Sequence, residues 1–329
     1  MKDIQGFTQG GKFYKGNLHS HTTVSDGMLT PEQSIVLFKE HGYDFLSLSD
    51  HDIYTDYRNI LDTEDFITLP SIEYSAVLYE DFGTKKRLKI HHLHGILGTQ
   101  EMQKNAVKPI FGHMEKVPPL LFYKEWTGPV AAQQMADMLA EHGMILTYNH
   151  PIWSRVEEKE FTDTKGLSML EIFNYNTVNE SNTGYDVTYW DRMLRQGKHI
   201  NGFASDDNHN EGMFDDACGG WICVKAPTLT HEDIVSNILS GNYYSSSGPE
   251  IFDFGVKDGM AWVECSPCNR INFVSGNIIN DGTTVLGEKF EDSLKGACNT
   301  LKGHETYVRI ECTDKYGRTA WTNPLWLEW

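Results

Sequence analysis

The sequence predicts an α/β fold: a seven-stranded (β/α)7 barrel over residues 1–248, followed by an all-β, sandwich-like domain over residues 249–329. Three observations carry this. Seven apolar segments near 14–20, 43–49, 66–73, 88–97, 144–149, 168–174 and 198–205 read as strands, and several are too apolar to be one-sided, as in a parallel sheet covered by helices. Histidines and carboxylates stand at the ends of successive segments. Such ends converge only when the sheet closes and they share one mouth; an open doubly wound sheet spreads them along a line. Past Gly241 the pattern changes to short alternating strands with turn residues, which suits an antiparallel β unit.

The helices between these strands announce their own ends. Thr30-Pro31-Glu32-Gln33 combines a cap, a proline at the first helical position and a glutamine three residues on, a capping box. That helix stops at Gly42, and the strand Tyr43–Leu48 follows at once, ending in Asp50-His51. Pro129 opens and Gly143 closes the next helix, ahead of Met144–Tyr148 and Asn149-His150-Pro151. A third helix runs from Tyr185 to Gly197, before the 198–205 strand and Asp206-Asp207. A fourth opens at Thr230 and ends at Gly241. In the last part, Val256-Lys257-Asp258-Gly259-Met260 carries an Asp-Gly hairpin signal.

Composition narrows the function. The 329 residues hold a large core and more than one domain, and 40% hydrophobic content is ordinary for a globular chain. No apolar run reaches the roughly 18 residues of a membrane span, and the first residues lack an apolar leader core, so a cytoplasmic protein is expected. A net charge of −18 argues against nucleic acid as the main partner. Cys265-Ser266-Pro267-Cys268 is a CxxC, redox-active or half of a zinc knuckle in principle. No second CxxC or paired histidines follow it, and the six cysteines are read as reduced, unreactive thiols.

The chemistry is concentrated in a few short segments. Asn17-Leu18-His19-Ser20-His21 is an H-x-H on a strand, and period-2 alternation puts both imidazoles on one face. Asp26-Gly27 follows where a turn returns a carboxylate to that pair. The same pattern recurs at Ser49-Asp50-His51-Asp52, Glu73, His91-His92-Leu93-His94, Asn149-His150-Pro151 and Asp206-Asp207-Asn208-His209. Imidazole and carboxylate in this density point to a metallohydrolase, with Zn, Mn or Fe rather than Cu(I) or Ca. Asp50, next to His51, is a candidate partner to fix the imidazole tautomer. His41, His113, His142, His199, His231 and His304 lie outside the motifs. Asn174, Arg155, Trp153, Trp190, Trp221 and Tyr175 read as scaffold, loop or core in the first instance, with a place at the site as the alternative.

The ordered set NLHSHTTVSDG, SLSDHD, IEYS, a His-rich strand, NHP and SDDNH, over roughly residues 13–245, resembles the PHP (polymerase and histidinol phosphatase) family. Tyr243–Pro249 followed by a β domain further resembles the branch of that family that includes carbamate-ester hydrolases. The resemblance implies a distorted seven-stranded barrel with two to three divalent ions. It implies that His19, His21, Glu73 and Asp207 share one ion, and that Glu73 links it to a second held by His150 and a histidine of 91–94. It assigns Asp26, His51 and His209 to the third. His92 and His94 share a face and both remain candidates, with His92 preferred. Asp207-Asn208-His209 fits the family's D-x-H without a gap, so Asp207 is preferred over Asp206.

The implied reaction is hydrolysis of a small-molecule phosphate ester by a metal-bridging hydroxide, with Asp207 or His209 moving the proton. Carboxylic or carbamate ester hydrolysis on the same centre is the alternative, and a non-catalytic metal-binding module is a third reading. Few Arg or Lys residues sit in the motif loops, which weighs against a highly charged substrate unless the ions supply the charge.

Overall fold

The structure, a computed structural model, describes residues 2–276, 278–289 and 291–329. The protein is mixed α/β, with one large mixed sheet and a separate four-stranded antiparallel sheet. Phe45–Leu48 pairs in parallel with both Lys12–Asn17 and Ile67–Tyr79. Met144–Tyr148, Leu167–Asn174 and Asn201–Ser205 form a second parallel run. The two ends of the series meet where Asp207 N donates to His19 O at 2.9 Å and His21 N to Asn208 O at 3.0 Å. This contact places the first and last ligand motifs side by side.

One strand departs from the parallel expectation. Arg87–Leu97 runs antiparallel to both neighbours, Ile67–Tyr79 and Met144–Tyr148. The reason is its connection. Ile67–Tyr79 extends thirteen residues, well past Glu73, and turns straight back through residues 80–86. A hairpin admits only antiparallel pairing, whereas a parallel partner needs a crossover. His92 and His94 therefore lie in mid-strand rather than at a strand's C-terminal end, with His94 opposite Glu73 and His92 opposite Ser75.

The helices form where the caps place them. Thr30 accepts from Gln33 N, and the Gln33 side chain returns to Thr30 N, completing the capping box of Pro31–Glu40. Gly128–Glu141 buries Ala131, Ala132, Met135, Ala136 and Leu139, a stripe at helical spacing that packs onto the sheet. Each such side chain contributes on the order of 1–3 kcal/mol through burial, least for alanine. Val187–Arg195 and His231–Leu239 complete the set expected from the sequence. The short helix Gln100–Lys104 and the strands Ile53–Thr55, Met114–Lys116 and Leu120–Tyr123 were not signalled by the pattern. No helix among the described residues is long and apolar enough to cross a membrane.

Beyond residue 249 the chain is antiparallel β. Ile251–Lys257, Met260–Cys268 and Leu294–Thr300 form the separate sheet, joined by Ile4–Gln5 from the N-terminus. The Asp-Gly hairpin forms with Asp258 at φ 49° and Gly259 at φ 77°, both left-handed as a type I′ turn requires. Arg270–Ser275, Thr283–Leu286, Tyr307–Thr313 and Thr319–Thr322 extend the large sheet instead, because Thr319–Thr322 pairs with Tyr243–Ser246.

Candidate metal centre

Two strands, Ile67–Tyr79 and Arg87–Leu97, and the loops after four others deliver one buried cluster. Asn17 ends its strand and His19 and His21 follow, both fully buried. Their Nε2 atoms face each other at 3.1 Å. Two neutral imidazoles cannot both point lone pairs into that space without repulsion, so the arrangement calls for a cation or proton between them. Glu73, also fully buried, lies beneath: Oε1 is 3.1 Å from His19 Nε2, 3.2 Å from His92 Nδ1 and 3.3 Å from His150 Nε2. Its other oxygen, Oε2, is 2.9 Å from His51 Nδ1 and 3.4 Å from His21 Nε2. Asp207 Oδ1 completes the first group at 2.9 Å from His19 Nε2 and 3.0 Å from His21 Nε2.

The outer group sits at the mouth. His51 Nε2 is 3.7 Å and His209 Nε2 3.5 Å from the two oxygens of Asp26. His21, Asp26, His51 and His209 can each offer one ligand atom within a 4.8 Å span. The Asp26 loop is folded tightly onto His21: Gly27 N donates to Thr22 O, and a Cβ at Gly27 would lie 2.4 Å from His21 O. Only glycine permits that approach. All nine residues singled out in the sequence thus stand in this cluster. So does His94, whose Nε2 is 3.8 Å from Glu73 Oε1 and whose two ring nitrogens are buried without hydrogen-bond partners among the described residues.

Asp206 points away. Its carboxylate accepts from the backbone N–H groups of Cys218, Gly219 and Gly220 at 2.7–2.8 Å, pinning that turn. Asp50 also differs from expectation. It does not touch the His51 ring; it accepts from Thr22 N, Thr22 Oγ1, Ser25 N and Ser25 Oγ. Its role is to hold the loop that carries Asp26, because four donors saturate it.

Two residues that orient the candidate ligands, Glu171 and Ser154, escaped the motif reading, and Asn149 stood in a motif without a role. Glu171 receives His19 Nδ1 at 2.8 Å and the backbone N–H of His150 at 2.9 Å, and Ser205 donates to it. It fixes the His19 tautomer so that Nε2 faces the cluster. Ser154 Oγ lies 3.0 Å from His150 Nδ1 and does the same there. Asn149 Nδ2 donates to Glu73 Oε1 at 2.8 Å. Asn174, the doubtful case at a strand end, faces the site: Nδ2 donates to Asp207 Oδ2 at 3.0 Å. A carboxylate inside an apolar strand, Leu167–Asn174, was the available signal for Glu171, but the same pattern also fits scaffold.

Electrostatics follow from this packing. Burial alone would raise the Glu73 carboxyl, yet His19 and His92 outweigh it and hold it well below the usual range. Asp207 behaves alike, its burial overcome by His19. His92, beside them, is pushed down to about 4 by burial, which Glu73 only partly offsets. His19, His51 and His150 go the other way: burial would lower them, but the carboxylates beside them, chiefly Asp207 for His19 and Glu73 for the other two, outweigh it and raise all three, His51 to about 9. Divalent ions would displace those protons, since they bind neutral imidazoles beside ionised carboxylates. His150 and Asp207 hold positive φ, 26° and 58°, a strain characteristic of functional positions. The donor set and its convergence fit divalent metal ions.

Above the cluster lies a cleft of about 210 Å³, lined by Asp26, His51, His92, His150, Asp207 and His209 from below and by Arg87, Trp153, Asn176 and Met213 at its rim. Trp153 is thus at the site, while Trp190 is core, and Trp221 and Tyr175 line a separate depression. Arg155 flanks a neighbouring pocket. His41, His113 and His142 bind backbone carbonyls, and His304 binds Asp281, all apart from the cluster.

No family model and no curated protein matches this chain. Among solved structures it is similar to a two-domain protein from Bacteroides vulgatus ATCC 8482 containing a predicted PHP-like metal-dependent phosphoesterase. That match has 11% identity, covers 99% of this chain and 97% of the other, and has a TM-score of 0.46. A protein from Bifidobacterium adolescentis ATCC 15703, named as a metal-dependent phosphoesterase, matches at 15% identity over 71% of this chain and 97% of its own, with a TM-score of 0.39. An amidohydrolase from Chromobacterium violaceum, solved with sulfate and no metal, matches at 12% identity over 69% and 96%, also with a TM-score of 0.39. The functional reading therefore rests on the side chains.

Proposed function

We propose that this chain is a metal-dependent hydrolase of the PHP type, acting on a small-molecule phosphate ester. The observation that carries the reading is Glu73, a single buried carboxylate within 3.4 Å of five imidazoles: His19, His21, His51, His92 and His150. In this reading the strands from Lys12–Asn17 to Asn201–Ser205 form a distorted seven-stranded barrel. Residues 1–248 carry the chemistry, and 249–329 form an accessory β unit.

His19, His21, Glu73 and Asp207 would hold one ion, Glu73, His92 and His150 a second, and Asp26, His51 and His209 a third. Zn, Mn or Fe suit these donors. Bound there, such ions supply Lewis acidity and a nucleophile at neutral pH. The protein's own groups do the rest. Glu171 and Ser154 orient His19 and His150; Asn174 and Asn149 steer Asp207 and Glu73. Asp207 is saturated by His19, His21 and Asn174, so it stays ionised. His209, 17% exposed and on the cleft wall, has its Nδ1 against Asp207 O at 2.9 Å; its Nε2 either joins the third ion or, with only two ions bound, moves a proton to or from substrate. Arg87 and Asn176 at the rim can bind the non-reacting oxygens of an anion, and Trp153 supplies an apolar wall.

One feature favours phosphorus over a carbonyl centre: Arg87, the Arg or Lys among the described lining residues, although Glu180, Glu211 and Asp216 line the same cleft and leave most of the neutralising charge to the ions. A carboxylic or carbamate ester would use the same centre with less need of Arg87. The test is hydrolysis of phosphomonoesters, phosphodiesters, aryl carbamates and esters by Mn- or Zn-reconstituted protein, with His150→Ala alongside. Phosphate-ester turnover lost in the variant supports the reading. Turnover confined to carbamates or esters moves the chain to carbonyl chemistry.

A further inference from the structure

The CxxC of Cys265 and Cys268 acquires a third partner in the fold. Cys312, from Tyr307–Thr313, brings its Sγ into a group in which all three sulfurs lie within 4.8 Å of one another. The Cys265 and Cys268 Sγ atoms are 3.7 Å apart, and all three residues are at most 1% exposed. This site shares no residue with the histidine–carboxylate cluster.

The local backbone is shaped to make it. Residues three apart on a regular strand face opposite sides. Along Met260–Cys268 the buried residues are Ala261, Val263 and Cys265, and then, out of phase, Cys268. The register shifts between Glu264 and Cys268, so the Ser266-Pro267 step adds the residue that turns Cys268 back to the inner face. Bulges of this kind re-aim a side chain at the expense of ladder pairing. Asn269 N then donates to Thr313 O at 2.9 Å, drawing the Cys312 strand alongside. Packing alone has no need of the irregularity, since an apolar residue at the in-phase position 267 would fill the same core.

We propose that Cys265, Cys268 and Cys312 form a closed, structural site for a thiophilic cation, Zn(II) or Cu(I). A zinc ion holds thiolate sulfurs at about 2.3 Å, which sets neighbouring sulfurs of a tetrahedral site roughly 3.8 Å apart. The Cys265–Cys268 separation matches that edge, and both ions favour thiolate ligands. A Cys265–Cys268 disulfide would need the sulfurs at about 2.05 Å and would leave Cys312 without a role. Binding releases the thiol protons to solvent. The thiols of Cys265 and Cys312 donate to the Cys268 sulfur and already favour its thiolate. Cu(I) is content with three sulfurs. Zn(II) would take its fourth donor from outside the Cys, His, Asp and Glu side chains gathered here. The site would clamp two strands of the all-β part, which come from the separate sheet and the large sheet.

The test uses the full chain, reduced and stripped of metal. Because the histidine–carboxylate cluster holds no sulfur, a near-ultraviolet thiolate-to-cobalt band on adding Co(II) reports the cysteine site alone. The expected result is that band, retained in His150→Ala and lost in Cys268→Ser. In the second arm, one equivalent of Cu(I) added anaerobically binds and protects the three thiols from alkylation. The arm with the tighter binding identifies the ion. If Cys268→Ser fails to fold, the band and the alkylation pattern of the unmutated chain still decide. Absence of the band together with no protection by Zn(II) or Cu(I) would overturn the proposal, as would a Cys265–Cys268 disulfide in protein purified without oxidant.

Discussion

Oε2 of Glu73 lies 2.9 Å from Nδ1 of His51, on the opposite side of the carboxylate from the oxygen that meets His19. One side chain thereby joins the buried group to the group at the mouth. Glu73→Gln removes the charge while keeping the shape. Metal content is expected to fall by at least one equivalent, and turnover by about 100-fold or more. Elemental analysis and kcat on the same preparation check this; unchanged metal content would remove Glu73 from the centre.

His92 and His94 separate by their reach. His92 is 3.2 Å from Glu73, belongs with His51 and Glu73 in a possible ligand group, and lines the cleft. His94 is 3.8 Å away and lies beneath, against the His19 ring. His92→Ala is expected to lower metal affinity by about 10- to 100-fold, with His94→Ala costing mainly stability, about 1–3 kcal/mol from lost packing. Calorimetric metal titration beside urea unfolding distinguishes them.

Arg87 is the cation at the cleft rim. A charge-assisted hydrogen bond contributes about 1.5–3 kcal/mol. Arg87→Ala should therefore raise KM for a phosphate ester by about 10- to 100-fold with kcat nearly kept, and leave a neutral ester almost unaffected. Equal effects on both substrates would remove Arg87 from anion recognition.

His231, at the start of its helix, is held down to about 4, first by burial and then by the Arg58 guanidinium. The unfolded chain takes up a proton near pH 6.5 that the folded chain refuses until about pH 4. Stability from this group is full above about 6.5 and is lost as pH falls toward 4. Between pH 7.5 and 5 the unmutated protein should lose about 1–2 kcal/mol more than His231→Gln, the figure being reduced because the residue is partly exposed. Urea unfolding at the two pH values measures the difference; equal losses would contradict it.

The readable part of the site was the part written in short-range spacing. The H-x-H, which falls just past the end of Lys12–Asn17 rather than on a strand face, Asp26-Gly27 in the following turn and the D-x-H of Asp207–His209 all place their candidate ligands by local geometry. Glu73, ending an apolar run, was legible for the same reason. Strand direction was not, since period 2 is the same in both senses. The turn at residues 80–86 was the only cue that Arg87–Leu97 comes straight back, and that reversal is why His92 and His94 act from mid-strand. Glu171, inside its strand, and Asn174, at the strand's end, were ambiguous because either position reads the same whether it faces a site or a helix. Asp50 misled because adjacency to His51 in sequence places its side chain elsewhere. Cys312 joined the CxxC only through long-range pairing, which no local pattern encodes.

The most direct measurement is phosphate-ester turnover against bound Mn or Zn, titrated into stripped protein. The account predicts no turnover without metal, and a rise that saturates at two to three equivalents in the histidine–carboxylate cluster. Protein that takes up less than one equivalent there, or that turns over equally well when stripped, would contradict it.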